Sequence, residues 1–398
     1  MVPPPEPGTL AGPAVPLFDL RLRPEELAAV ADTLRSGWLT MGPRTEAFEA
    51  AFAAHLGTRH AVCVSSCTAA LHLAYLGAGV GPGDEVIVPS ITFVATANAV
   101  RYCGATPVFA EIRGVHDPGV DPEHVASLIG PRTKAVCAVH FAGYPAAVDE
   151  LRALCDARGI ALIEDVAHAP SATLGGRKLG TFGLAGAFSF FSNKILSCGE
   201  GGLLATDDDA VAAAARRMRS QGMSSGSWSR YTGATDTYDA AGPGFNYRID
   251  DPRAALLLAR LEHLEDDIAR RRALVLRYRS MLAGIEGITV PFRDADVDTS
   301  SCYVMPICVR DPEQQGPLRR HLRDAHSVQS SLFYPPIHRF TAYEDVYGEQ
   351  SLPRSEGWAR SELTIPLFGH LTHDQQDRVV GAVADGMSRA HGAAGSGA

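Results

Sequence analysis

What the chain lacks narrows its chemistry before any motif is read. Its eight cysteines stand apart with no CxxC pair among them, which argues against both a zinc site and a disulfide framework. Cys63, Cys103, Cys137 and Cys308 lie in apolar runs and read as buried thiols. Positive charge is in deficit: 36 Lys and Arg face 45 Asp and Glu, a formal charge of −9, which argues against a nucleic-acid partner. An anionic substrate must then be met by local Arg, Lys and backbone N–H groups. No run reaches the roughly twenty apolar residues that cross a bilayer, so no membrane span is expected. The opening stretch MVPPPEPGTLAGPAVP has neither a basic start nor an uninterrupted apolar core, so no secretory leader and a cytoplasmic protein are expected. What remains is ordinary globular material, 46% apolar and 20% charged over 398 residues, enough for a large and a small domain.

Short apolar runs bounded by Gly, Pro or charge predict strands at 60–64, 85–89, 106–110, 135–140, 161–164, 187–191 and 202–206. Helical spacing predicts helices at 24–36, 44–55, from 68 onward, and at 122–129, 147–158 and 208–220. Strands interleaved with helices in this way imply an α/β fold with a mainly parallel sheet covered on both faces. A long helix from 252 to about 282 leads to short strands such as 303–309. The expected organisation is a flexible arm at 1–16, a large domain at 17–250, the long helix with a small C-terminal domain at 251–390, and a flexible tail at 391–398. Arm and tail carry too little apolar surface to offset the entropy of ordering.

Asp165 and Lys194 each follow a strand end, the edge at which open α/β sheets bind ligands. A carboxylate and an amine delivered there from separate strands can flank one small ligand. Pyridoxal 5'-phosphate (PLP) requires such a pair, an amine to hold its aldehyde and a carboxylate to keep its ring nitrogen protonated. Taken singly, Lys194 reads as a solvated loop lysine and Asp165 as a helix cap. The strand at 60–64, the turn SSCT and the helix from Thr68 aim backbone N–H groups and a helix dipole at whatever lies above, as a phosphate site does. Ser66 or Thr68 reads equally as a plain cap. Phe93 follows the strand at 85–89 and by itself reads as core. The segment 221–255 is Gly- and Ser-rich and long, and its Trp228, Arg230 and Tyr231 suit a nucleotide diphosphate or a surface flap alike. For His338 and Arg339, after Pro335 and Pro336, a structural reading suffices.

The wording around these residues resembles the DegT/DnrJ/EryC1/StrS family of PLP-dependent sugar aminotransferases. The matching motifs are EDVAHA (164–169), SFFSNK (189–194) and GEGG (199–202), within a likeness running from about Leu17 to about Val383. The resemblance implies fold type I: a large domain with a seven-stranded, mainly parallel sheet that includes one antiparallel strand, plus a smaller α/β C-terminal domain. It implies that Lys194 holds the cofactor and moves the proton, and that Asp165 pairs with the ring nitrogen. Cys67, Thr68 and Ser189 would bind the phosphate, Phe93 would lie on one ring face, and His168 would touch the cofactor from the other side or at its phenolic oxygen. GFNYR (244–248) matches a segment that enters the neighbouring subunit's site, with Asn246 on the PLP phosphate, so a homodimer with active sites at the subunit interface is implied. SGWLTMGP (36–43) matches a loop that approaches the sugar, which makes Thr40 and Met41 substrate candidates beside Arg230, Tyr231 and His338. CYV (302–304) stands where relatives often read YH, so the role of that histidine does not transfer.

The implied reaction moves an amino group from L-glutamate to a nucleotide-linked ketosugar, in making an amino sugar for a secondary metabolite or glycan. SGWLTMGP and SFFSNK favour C4 of a dTDP-4-keto-6-deoxyhexose, with C3 ketosugars and cyclitol ketones as alternatives. Lysine rather than histidine at 194 favours amine transfer over dehydration. A reading from another class is a non-catalytic, PLP-binding regulator or partner protein. No metal is expected.

Overall fold

Seven short apolar strands build the central sheet of the computed structural model, which describes residues 14–395. They are β1 (His60–Val64), β2 (Glu85–Pro89), β3 (Thr106–Ala110), β4 (Thr133–Val139), β5 (Ala161–Asp165), β6 (Ala185–Ser189) and β7 (Gly202–Thr206). Their order is β1-β7-β6-β5-β4-β2-β3, parallel from β6 through β3, with β7 antiparallel to both β1 and β6. The mainly parallel sheet with one reversed strand is the expected one. Successive strand residues face opposite layers: Ala61 and Cys63 enter one core, Val62 and Val64 the other. Burial on both faces explains why these strands read as unbroken apolar runs.

Helices supply both layers. They are α1 (Pro24–Arg35), α2 (Pro43–Leu56), α3 (Cys67–Gly77), α4 (Ala95–Tyr102), α5 (Pro122–Leu128), α6 (Val148–Arg158) and α7 (Asp209–Met218). Phe48 and Phe52 of α2 pack with Phe188 and Phe190 on one face, whereas Leu71 and Leu73 of α3 lie in the core on the other. Side-chain caps fix where α7 and α3 begin. Asp208 accepts the N–H groups of Ala210 and Val211 at the start of α7 (2.8 and 2.9 Å), and Ser66 accepts that of Ala69 in α3 (3.2 Å).

Beyond a short helix α8 (Ser227–Tyr231), the expected single helix at 252–282 is two: α9 (Asp251–Leu261) and α10 (Leu264–Leu282). His263 leaves the helical region (φ −108°, ψ 2°) and its imidazole meets Glu25 of α1 at 3.2 Å. The break has a packing cause, because α9 lies on α1 and α2 while α10 turns to pack on the far C-terminal elements. Those elements are an antiparallel sheet, β8 (Ile288–Thr289), β9 (Met305–Val309) and β10 (Glu362–Ile365) in that order, with α11 (Gln315–His326), α12 (Thr341–Tyr347), α13 (Pro353–Ser361) and α14 (His373–Gly395).

Of the ends expected to be flexible, residues 1–13 and 396–398 lie outside the described residues. Val15 is buried, its N–H donating to Ser327 O at 3.2 Å beside a bridge to Val328. Leu367 N–H donates in turn to Leu17 O (3.3 Å). Among the described residues no helix is long and apolar enough to cross a membrane.

Candidate active site

Six strands, β1 to β6, run the same way and end at one rim of the sheet, and a cavity of about 470 Å³ opens there. Asp165 closes β5, Ser189 closes β6, and the connection from β6 to β7 carries Lys194; all three line the cavity. Asp165 is 5% exposed. Its Oδ2 accepts from Thr96 Oγ1 at 2.8 Å and its Oδ1 from Ala167 N–H at 3.1 Å, with Cys67 Sγ 3.9 Å away. Burial pushes its pKa up, and these hydrogen bonds together with Lys194 pull against that rise. The carboxylate is therefore poised to favour a cation. Burial likewise draws the Lys194 ammonium down to about 8, against the attraction of Asp165, so a sizeable neutral fraction exists near physiological pH.

Cys67 and Thr68 open α3 at the far side of the cavity, where the first N–H groups of a helix lack intrahelical partners. The turn that holds them is pressed against β7. A Cβ at Gly202 would lie 2.3 Å from Ser66 C and 2.5 Å from Cys67 N, so only glycine lets the strand approach. The Cys67 thiol is pushed well up by burial and by Asp165, and is neutral. Ser189 Oγ accepts the Phe191 N–H (3.4 Å) at the cavity edge. Phe93, which by itself reads as core, is 58% exposed in the cavity wall, its ring 6.0 Å from that of Tyr334.

His168 is buried and hydrogen-bonded through Nε2 to Tyr334 Oη at 2.9 Å. Burial and the nearby Lys194 charge hold it well below the usual imidazole pKa, and its Nδ1 has no partner. Asn246 is exposed, bridged to Ser220, and does not line the cavity of its own chain.

The substrate candidates stand elsewhere. Thr40 is exposed; Met41 lines a separate cavity of about 200 Å³ with Trp228. Arg230 donates to Ser225 O (2.8 Å) and lies 4.9 Å from the Tyr238 ring, while Tyr231, 72% exposed, leans on Trp38 at 4.8 Å. His338 corrects the expectation of a residue facing substrate. It is 1% exposed with both ring nitrogens engaged, Nδ1 with Ser90 Oγ at 2.6 Å and Nε2 with Glu356 Oε1 at 3.2 Å, so it ties a loop down instead.

Several cavity residues carried no motif. Thr96 falls four residues after Thr92, and the two hydroxyls meet at 3.0 Å where the chain turns into α4, a spacing visible in SITFVATA. Tyr303 and Tyr334 sit in apolar runs that read as core, and nothing local marks them. Away from the cavity, His321, His326 and Asp385 bring three potential metal ligands within 4.8 Å, already joined by hydrogen bonds of 2.9 and 3.4 Å.

The residues present fit PLP. A buried carboxylate in need of a cation, a lysine with lowered pKa and a glycine-backed helix start share one cavity, and the wall carries an exposed phenyl. The sequence profile of the DegT/DnrJ/EryC1/StrS aminotransferase family matches residues 21–384. The chain is 41% identical to dTDP-3-amino-3,4,6-trideoxy-alpha-D-glucose transaminase of Streptomyces venezuelae, over 95% of this chain and 97% of that protein. Its fold matches the crystal structure of the aminotransferase TlmJ from Streptoalloteichus hindustanus with a TM-score of 0.88 at 36% identity, covering 94% of this chain and 99% of that one. It also matches the PLP form of the putative sugar aminotransferase Spr1654 from Streptococcus pneumoniae with a TM-score of 0.87 at 26% identity, covering 94% and 99%.

Proposed function

Because the chain belongs to the DegT/DnrJ/EryC1/StrS aminotransferase family, whose members use PLP, we propose that it transfers an amino group from L-glutamate to a nucleotide-linked ketosugar, with Lys194 and Asp165 as its catalytic pair. The observation that carries this reading is the meeting of those two side chains in one cavity, where burial lowers the Lys194 pKa and the Thr96 and Ala167 donors hold the Asp165 carboxylate against the rise that burial imposes. Bound PLP supplies an electrophilic carbon for the incoming amine and a protonated ring that accepts electrons released at Cα.

Asp165 holds positive charge at the inner end of the cavity, where Thr96 and Ala167 fix its orientation. The N–H groups of Cys67 and Thr68, with the Ser189 hydroxyl, bind the phosphate. Because the contact at position 67 is through backbone, a thiol there is tolerated. Phe93 covers one ring face and excludes water, and His168, held neutral, faces the cofactor without adding a second positive charge. Lys194 Nζ takes and returns the proton, for which a pKa of about 8 is well matched. Asn246 reaches the phosphate of a second copy of the chain, which makes the active unit a homodimer.

The carbon that receives nitrogen is the finer question. The wording of residues 36–43 favours C4. The name of the S. venezuelae relative carries its amino group at carbon 3. We place C3 first on that name, since Thr40 and Met41 do not reach the cavity of their own chain, and keep C4 as the alternative. The test is direct: protein loaded with PLP loses its yellow absorbance on addition of L-glutamate alone, and NMR of the product from 3-keto and 4-keto dTDP-sugars assigns the carbon. An absorbance unmoved by L-glutamate would sink the enzyme reading and leave a PLP-binding regulator.

A further inference from the structure

Tyr303 approaches Lys194 from the C-terminal part of the chain, and its ring centroid lies 4.2 Å from Lys194 Nζ. Its Oη donates to Asn193 Oδ1 at 3.0 Å, so the same side chain grips the residue just before the lysine. Its own backbone is clamped from two directions. Tyr303 N–H donates to Ala142 O (3.0 Å), and Arg271 Nη1 donates to Tyr303 O (3.3 Å). Ala142 sits in a tight turn with Gly143 (φ +96°), where a Cβ would come within 2.9 Å of Cys302 N. Phe18 stacks on the ring at 5.8 Å and 17°, and His168 lies 4.4 Å away at 32°. A ring so confined cannot follow the lysine; the lysine must conform to the ring.

An ammonium over an aromatic face is attracted by the ring quadrupole, more so where water is excluded. The other titratable groups facing the amine are Asp165, which favours its charged form, Cys67, His168 and Tyr334, all held neutral by burial, and Glu200 in the cavity wall. Two buried cations stand close by: Arg271 lies behind the Tyr303 carbonyl, and Arg260 donates to Ile195 O at 3.1 Å, beside the lysine. We infer that Tyr303 is the positioning residue of Lys194, holding the amine over its ring and, through Asn193, fixing the turn that presents it to the cavity. The inference rests on the reading of Lys194 as the cofactor lysine.

The test uses cofactor-free protein. The pH dependence of Lys194 acylation by a small amine-reactive reagent, read by peptide mass spectrometry, gives the titration midpoint of the amine, expected near 8 in the wild type. Tyr303→Leu removes the ring, so the ammonium loses support and the midpoint falls by about one pH unit. Tyr303→Phe keeps the ring and leaves the midpoint within about 0.3 units, but loses the Asn193 bond and slows borohydride-fixed capture of PLP about threefold or more. Asn193→Ala slows capture by the same factor, and the double variant is no slower than either. Equal midpoints in wild type and Tyr303→Leu overturn the inference. Should Tyr303→Leu fail to fold, multiplicative effects of Tyr303→Phe and Asn193→Ala overturn it instead. Failure of wild-type Lys194 to capture PLP overturns the functional reading alone, because the acylation midpoints remain measurable.

Discussion

At Asp165, burial and hydrogen bonding pull in opposite directions, and the balance is what makes the residue useful. A carboxylate with Thr96 and Ala167 as donors keeps its orientation, yet burial raises the cost of its charge until a cation arrives. Asp165→Asn keeps the shape and loses the charge. PLP is then still captured by Lys194, while kcat falls about a hundredfold or more; an unchanged rate would assign the ring nitrogen to another group. Lys194→Ala removes covalent capture altogether, so borohydride treatment leaves no pyridoxyl peptide, and such a peptide at another lysine would refute the assignment. Residues of this kind were legible because their motifs are local. Thr96 and Tyr303 were not, because what makes them matter is a contact across 69 residues in one case and 110 in the other. His338 misleads for the converse reason: an imidazole after two prolines looks available, and only the fold shows both nitrogens engaged.

Among the elements, the seven strands stand within about two residues of where their apolar runs place them, since a strand buried on both faces leaves an unambiguous signal. The break between α9 and α10 leaves none. No Gly or Pro marks Glu262 and His263, and only packing against separate neighbours bends the chain there. The close seat of β7 on the α3 turn gives an element-level test. Gly202→Ala must push Ser66 and Cys67 aside, costing about 1–3 kcal/mol and weakening PLP affinity along with it. Gly81→Ala, with nothing within 4 Å of the added carbon, is the control, and equal melting temperatures and PLP affinities would contradict the packing argument.

A second test lies in β10. Glu362 accepts the Phe333 N–H (2.7 Å) and meets Thr364 Oγ1 (2.5 Å), and burial raises its pKa from 4.5 to about 8. The folded protein keeps this proton where the unfolded chain releases it. Its stabilising contribution is therefore complete below about pH 4.5 and is lost as pH rises through about 8. Glu362→Gln offers the same acceptor and a permanent donor. Denaturation profiles across that interval should flatten in the variant, and an unaltered slope would show the carboxyl to be ionised in the fold.

For the whole molecule, Asn246 lies outside the cavity of its own chain, and its proposed reach into the cavity of a second copy can be tested. Lys194→Ala and Asn246→Ala proteins, each impaired alone, regain activity when unfolded and refolded together, because a mixed dimer has one site with both residues intact. Random pairing makes half the dimers mixed and each of these half active, so about a quarter of wild-type activity returns. No recovery would place Asn246 outside the partner's site.

The bridge from Val15 to Val328 has a consequence for any attempt to divide this chain. Val15 is buckled to the later part of the chain, and Phe18, just beyond the buckle, backs the tyrosine under the lysine. A cut at residue 250, the natural seam on the linear map, would strip the second fragment of a strap that belongs to the first. Two such fragments can work only by threading back together.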